Sequence, residues 1–367
     1  MKKNTIFFLL FSLFIGGCGD NKSYFNGEIS FFEDFLSADS LQGCQIRFDD
    51  IFTGDMYVCD SLIGFHSSKY PDSYLYVFSL NSHQYLTNFF RKGDGPDEFH
   101  QLTGFHQYNN KGNDIRVWMK EIMSEKFFLL NITQSIEERK TVLDTVLDLR
   151  WTNSRYFPPN SFSFFLNEEE IIIKNQSYKK NLDLPDYIPP AYCIYNIPQK
   201  IKVADIVLYI EPLIFENEHV WFGSYFHSID LIKPDQTKLV MAMNALCQIN
   251  ILDIVSKKQR GYRMKGTPDF NDLKKLPDNM MEYYIDVCVD DDYIYAFYSE
   301  RRISEDPYII NTTDEVHVFD WDGKPIRKII LSNEGNCLRL DAVHKKLYVK
   351  NHADEVFWYD VGYLYND

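Results

Sequence analysis

The stretch DEVHVFDWDGKPIRKIIL, Asp314–Leu331, constrains the fold more than any other, because two short apolar runs flank Asp322-Gly323. An Asp-Gly between such runs favours a tight hairpin, since both residues tolerate the backbone conformations of a short β-turn. The pattern continues at Leu338–Ala342, Lys346–Val349 and Glu355–Tyr359. Upstream it recurs at Ser73–Leu80, Gln84–Phe90, Ile115–Met119, Phe127–Ile132, Phe162–Leu166, Glu170–Lys174, Tyr192–Ile197, His219–Phe222, Lys238–Met243, Ile249–Val255, Ile285–Val289 and Tyr293–Tyr298. Strands spaced about 8–12 residues apart with turn residues between them indicate a sandwich, a barrel or a propeller. Length separates these. Sandwiches of about 100 residues would require three domains and visible linkers, whereas about 40–50 residues per four-stranded blade gives one propeller of about six to eight blades. Helical periodicity is sparse, with Lys120–Lys126 and Asn271–Leu276 each long enough for a turn or two.

Composition agrees. Aromatic residues make up 16% of the chain, a bias toward side chains that suit a pleated, half-buried surface. The formal charge of −15 repels a phosphate backbone, which excludes nucleic acid as an expected partner. The N-terminus begins with Lys2 and Lys3, continues with an apolar run from Ile6 to Ile15, and ends in Gly16-Gly17-Cys18. The run is shorter than the roughly 20 residues of an ordinary spanning helix. It resembles a bacterial lipoprotein signal, which implies removal of residues 1–17 and lipidation of Cys18. Residues 18–27 then form a lipidated spacer and 28–367 a single propeller domain. The expected location is the cell envelope, at the outer membrane, facing the periplasm or the exterior, with the lipid as the membrane contact.

Six cysteines remain: Cys44, Cys59, Cys193, Cys247, Cys288 and Cys337. An even count in an exported protein permits disulfides. Their spacings are wide and irregular, however, and several lie in apolar strand-like runs, so buried thiols are expected. Cys44 and Cys59 are the pair most worth testing.

The segment RKGDGPDEF, Arg91–Phe99, has two glycines after a strand, yet it lacks the lysine and hydroxyl that complete a phosphate loop. It also lacks the third glycine of a dinucleotide fingerprint. The remaining reading is a sharp turn in which Gly93 and Gly95 adopt positive φ, Pro96 is fixed, and Phe99 re-enters the core. Together with the preceding strand pair, the corner Gly93, Gly95, Pro96, Glu98, Phe99 resembles the six-bladed β-propeller lipoproteins of Bacteroidetes, described as TolB-like. A partial echo occurs at Lys265, Gly266, Pro268 and Phe270. This resemblance implies an all-β, six-bladed propeller behind a lipoprotein signal peptide, acting as a binding or protein-interaction module for an envelope protein or glycan. Members of the family mostly lack an assigned activity.

Candidate site residues are weaker. Asp290-Asp291-Asp292 supplies oxygen ligands suited to a divalent cation such as calcium but lacks the rest of an EF-hand loop, so an acidic hairpin turn is the simpler reading. Glu168-Glu169-Glu170 reads as a charged turn before a buried strand. Arg91, Lys92, Arg301 and Arg302 are candidates for an anionic ligand. Trp151, Tyr156, Phe157 and Trp221 are candidates for stacking on sugar rings, against burial between blades. His66, His100, His106, His219, His227 and His317 are dispersed, with no HExxH pair and no nucleophile elbow. No cofactor is identified. The alternative to a binding module is a propeller enzyme, either a metal-dependent lactonase-like hydrolase or a lyase, acting on an extracellular glycan or peptide.

Overall fold

The protein's structure, a computed structural model, describes residues 24–49, 52–95, 97–104, 107–109, 114–121, 124, 126–152, 162–175, 191–209, 227–275, 281–302 and 311–365. The signal segment with Cys18, the strand expected at His219–Phe222, and Pro96, His106, Tyr156, Phe157 and Trp221 lie outside these residues.

The chain opens with β1 (Glu28–Phe32), β2 (Ala38–Leu41) and β3 (Cys44–Ile46), then builds six sheets in sequence order. Blade 1 holds β4 (Asp55–Cys59), β5 (Leu62–His66), β6 (Ser73–Ser79) and β7 (Tyr85–Arg91). Blade 2 holds β8 (Gln107–Tyr108), β9 (Arg116–Glu121), β10 (Lys126–Asn131) and β11 (Leu143–Asp148). Blade 3 holds β12 (Ser163–Phe165), β13 (Glu170–Asn175), β14 (Ala191–Asn196) and β15 (Ile201–Val207). Blade 4 holds β16 (Ser228–Ile232), β17 (Lys238–Met243), β18 (Gln248–Asp253) and β19 (Lys258–Met264). Blade 5 holds β20 (Met281–Val289), β21 (Tyr293–Arg302), β22 (Thr313–Asp320) and β23 (Pro325–Gly335). Blade 6 takes β24 (Cys337–Asp341), β25 (Lys346–Lys350) and β26 (Val356–Asp360) from the C-terminal end, and its fourth strand is β3, antiparallel to β26. The result is a six-bladed β-propeller closed by its own N-terminal segment.

That segment does more than close one blade. β1 adds a parallel fifth strand to the outer edge of blade 4, and β2 does the same on blade 5. Ahead of them Phe25 bridges Tyr209, and the Asn26 N–H donates to the Leu208 carbonyl at 2.9 Å, just past blade 3. Residues 24–46 therefore run round the rim as a strap over four blades. Tyr24 and Phe25, assigned by sequence to the spacer, are buried in the fold, as are Phe35 and Ile46.

Among the described residues the core divides into six apolar clusters, one in each space between adjacent blades. Strand alternation produces this division. Along β17, Leu239, Met241 and Met243 face blade 3, while Val240 and Ala242 face blade 5. Both faces of a blade are buried, so its middle strands read as continuous apolar runs.

Two helical expectations fare differently. Asn271–Leu276 corresponds to the helix Phe270–Lys275, but Lys120–Lys126 joins β9 to β10 and is not helical at either end. The unexpected helix is Ile132–Glu138. The Asn131 side chain caps its start by accepting from the Gln134 N–H at 3.0 Å, and Arg139 ends it in the left-handed region. Among the described residues, no helix is long and apolar enough to cross a membrane. The six cysteines are free thiols, and five are buried. The pair Cys44–Cys59 does not form, because Cys44 is exposed on the outer strand of blade 6 while Cys59 is buried in blade 1.

Candidate functional site: the central channel

The first strands of the blades converge, with β16 against β20, β20 against β24, and β24 against β4. Together with β8 and Phe162 of blade 3 they enclose a cavity of about 430 Å³, within the range of small-molecule sites. Val58, Ile229, Leu231, Val287 and Leu340 supply apolar wall. Polar groups enter at fixed points. The Arg339 guanidinium donates from Nη1 to Asp286 Oδ2 at 2.6 Å and from Nε to the Met56 carbonyl at 2.8 Å, and it lies 5.5 Å from the centre of the Tyr57 ring. Asp286 also accepts from the backbone N–H groups of Val287 at 2.9 Å and Leu338 at 2.7 Å. Burial pushes the Asp286 carboxyl up, opposed by Arg339 and these two donors. Burial likewise pushes the Tyr57 phenol well up, so it stays protonated as a donor. The Tyr108 hydroxyl donates to the Val58 carbonyl at 2.8 Å, tying blade 2 to blade 1.

A second buried polar group sits behind the channel wall, between blades 3 and 4. Lys174 Nζ donates to Asp230 Oδ2 at 2.8 Å and to Ser228 Oγ at 2.6 Å. Ser228 donates to Asp230 Oδ1 at 2.6 Å, and the Tyr192 hydroxyl donates to Oδ2. Lys174, Ser228, Asp230 and Tyr192 are all buried, so this cluster locks two blades together and does not meet solvent. A third array, Cys247–Tyr284–His317–Glu315–Lys328, has the residue types of a catalytic relay. Cys247 and His317 are nevertheless fully buried. Burial pushes the Cys247 thiol up to about 12 and the His317 imidazole down, so at neutral pH neither is an ionised, accessible group.

The residues singled out by sequence do not converge. Arg91 and Lys92 end blade 1, whereas Arg301 and Arg302 end β21 in blade 5. Lys92 Nζ donates to the Ser68 carbonyl at 2.8 Å and to that of Tyr70. Arg301 donates to Thr312 at 3.2 Å and Glu334 at 3.1 Å. Asp290 is a buried turn residue. Its Oδ1 accepts from the N–H groups of Asp292 and Tyr293, and its Oδ2 from Lys345 at 3.1 Å and from the Tyr365 hydroxyl, while Asp291 and Asp292 are exposed. Trp151 packs edge-on against Tyr195 at 5.7 Å.

The corner after blade 1 is built as a closed turn. The Gly95 N–H donates to Glu98 Oε2 at 2.9 Å, the Glu98 N–H returns to the Gly95 carbonyl at 3.1 Å, and Phe99 packs against Phe90 and Phe128. Gly93 has φ +148°, and a Cβ there would lie 1.9 Å from Glu98 Oε2. Gly95, expected at positive φ, does not adopt it. The echo at 265–270 occupies the matching place after the outer strand of blade 4, with Gly266 at φ +80° and Phe270 buried against Tyr24 and Tyr209. No sequence signal pointed to Tyr57, Tyr108, Asp286 or Arg339.

Comparison with known proteins agrees with this architecture. Residues 218–343 match the family described as TolB-like 6-blade propeller-like. No curated protein matches the chain. A DUF4221 family member from Bacteroides vulgatus is similar in structure, with a TM-score of 0.56 and 11% identity over 89% of this chain and 97% of that one. A Bacteroides fragilis protein described as exported gives a TM-score of 0.53 and 9% identity over 88% of this chain and 99% of that one. The chain is a six-bladed β-propeller, matching the TolB-like family over residues 218–343 and sharing its fold with the DUF4221 structure over most of its length.

Proposed function

We propose that the chain is an exported binding module, held at the cell envelope by lipid on Cys18, that takes a ligand or a segment of a partner protein into its central channel. The observation that carries this reading is the convergence of all six blades on one apolar-walled cavity with the fixed polar points Arg339, Asp286, Tyr57 and Tyr108. Such a lining suits a ligand with an apolar body and a few hydrogen-bonding groups. The alternative of a metal-dependent hydrolase or lyase needs several carboxylates free to ligate. The channel's Asp286 is instead engaged by Arg339, Asp230 behind its wall is engaged by Lys174, and among the described residues no three His, Cys, Asp or Glu side chains gather.

Replacing the channel-facing Ile229 with Trp tests the binding reading. A ligand at 100 times its Kd stabilises its receptor by about 2.7 kcal/mol. In a thermal-shift screen with small molecules, oligosaccharides and peptides, Ile229→Trp is expected to fold yet lose the shift that the wild type shows. An undiminished shift would place binding elsewhere. The anchor has a separate test, in which Cys18→Ser is expected to release the protein from membranes and abolish lipid labelling. Persistent labelling would exclude Cys18 as the lipid site. The export reading draws support from the signal-like N-terminus and the exported Bacteroides fragilis neighbour of the same fold.

A further inference from the structure

Between blades 2 and 3 lies a second cavity, of about 630 Å³. Cross-strand pairing places Gln107, Trp118, Leu129 and Thr145 in one row on the same face of blade 2, and all four line it. Phe165 of blade 3 stacks on Trp118 at 3.8 Å, and Asn167, Glu168 and Gln236 close the rim. Trp118 is only 6% exposed, yet its indole N–H has no hydrogen-bond partner. An unpaired buried donor is costly to keep, so a native structure needs a reason for one.

We propose that this cavity is a binding site for a neutral saccharide. The rim presents polar side chains for which the structure shows no hydrogen bond or ion pair: the amides of Asn109 and Gln236, the Thr145 hydroxyl and the Glu168 carboxylate. Amide and hydroxyl groups both donate and accept, as sugar hydroxyls do, and the carboxylate accepts from two neighbouring hydroxyls at once. Leu129, Leu147 and Phe165 supply apolar wall for the C–H faces of a sugar ring. Charge selects against anions. Among the described residues of the lining the one cation, Arg116, is paired with both Asp114 and Asp144, so Glu168 adds to a net negative charge. A peptide strand would seek an unpaired sheet edge, whereas this wall is the side-chain face of a sheet.

The site is distinct from the central channel. Gln107 stands between the two, its amide donating to the Phe165 carbonyl at 2.8 Å and accepting from the Phe165 N–H at 2.6 Å. Both cavities border the β16–β17 turn, the channel at Lys233 and Pro234 and the lateral cleft at Gln236.

A glycan array carrying neutral, uronate-containing and sulfated oligosaccharides, followed by titration calorimetry on the full mature chain, tests the proposal. Neutral glycans are expected to bind, with affinity falling at least tenfold in Trp118→Phe, which removes the indole N–H and the pyrrole ring while keeping an aromatic ring beside Phe165, and in the rim variant Gln236→Ala. Ile229→Trp in the central channel is expected to leave this affinity unchanged, which separates the cleft from the channel reading. Absence of neutral-glycan binding, a preference for anionic glycans, competition by peptides, or full affinity in both cleft variants would overturn it.

Discussion

A chain lacking residues 24–46 is expected to be unable to form the closed ring. The deletion removes the fourth strand of blade 6, the fifth strands of blades 4 and 5, and the buried side chains of Phe25, Phe35 and Ile46. Truncating one buried phenylalanine to alanine costs about 3–5 kcal/mol. A whole domain is commonly stable by only about 5–15 kcal/mol, so losing two such phenylalanines, the buried Ile46 and three strands exceeds the margin. Circular dichroism and gel filtration of the truncated chain would show an expanded or aggregated species. The milder variants Phe25→Ala and Phe35→Ala should each lower the denaturation midpoint while keeping a single transition. A truncated chain that melted like the wild type would mean that the strap is ornamental and the ring closes without it.

Asp230→Ala should be nearly as damaging at a single position. It leaves the Lys174 ammonium sealed between blades 3 and 4 with only Ser228 as a hydrogen-bond acceptor. Breaking a buried ion pair from one side costs about 3–5 kcal/mol, because the remaining charge stays desolvated. Urea denaturation reads the loss directly. Replacing both partners together, with Lys174→Met and Asp230→Leu, should recover the part due to the buried charge, while the Tyr192 and Ser228 hydroxyls still lose their acceptor. If the double variant were as unstable as Asp230→Ala, the unpaired hydroxyls and packing rather than the buried charge would be the cause.

Much of the blade architecture is legible in the sequence for a physical reason. Middle strands such as Lys238–Met243 and Tyr293–Arg302 face an inter-blade core on both sides, so they stand out as apolar runs. The Asp322-Gly323 hairpin is equally plain, with Asp320 Oδ1 accepting from the Asp322 and Lys324 N–H groups and Gly323 at φ +79°. The corner ending in Phe99 and its echo ending in Phe270 mark equivalent junctions.

The strap was not legible. Its strands are three to five residues long and mostly exposed, and their partners lie more than 200 positions away in the chain. The channel was hidden for a related reason. Tyr57, Tyr108, Asp286 and Arg339 come from four strands, and register alone decides which residues face the axis. β8 spans only two residues and carries almost no strand signal. The helix Ile132–Glu138 is masked in the sequence because its first residue prolongs the apolar run of β10 across the cap Asn131.

Amide hydrogen exchange with and without a ligand found in the thermal-shift screen tests the channel reading most directly. The expected result is slowed exchange in the inner-strand segments around Tyr57–Val58, Ile229–Leu231 and Val287–Val289, with the outer strands β7, β11 and β15 unchanged. Protection confined to those outer strands, with the inner segments unaltered, would contradict binding in the central channel.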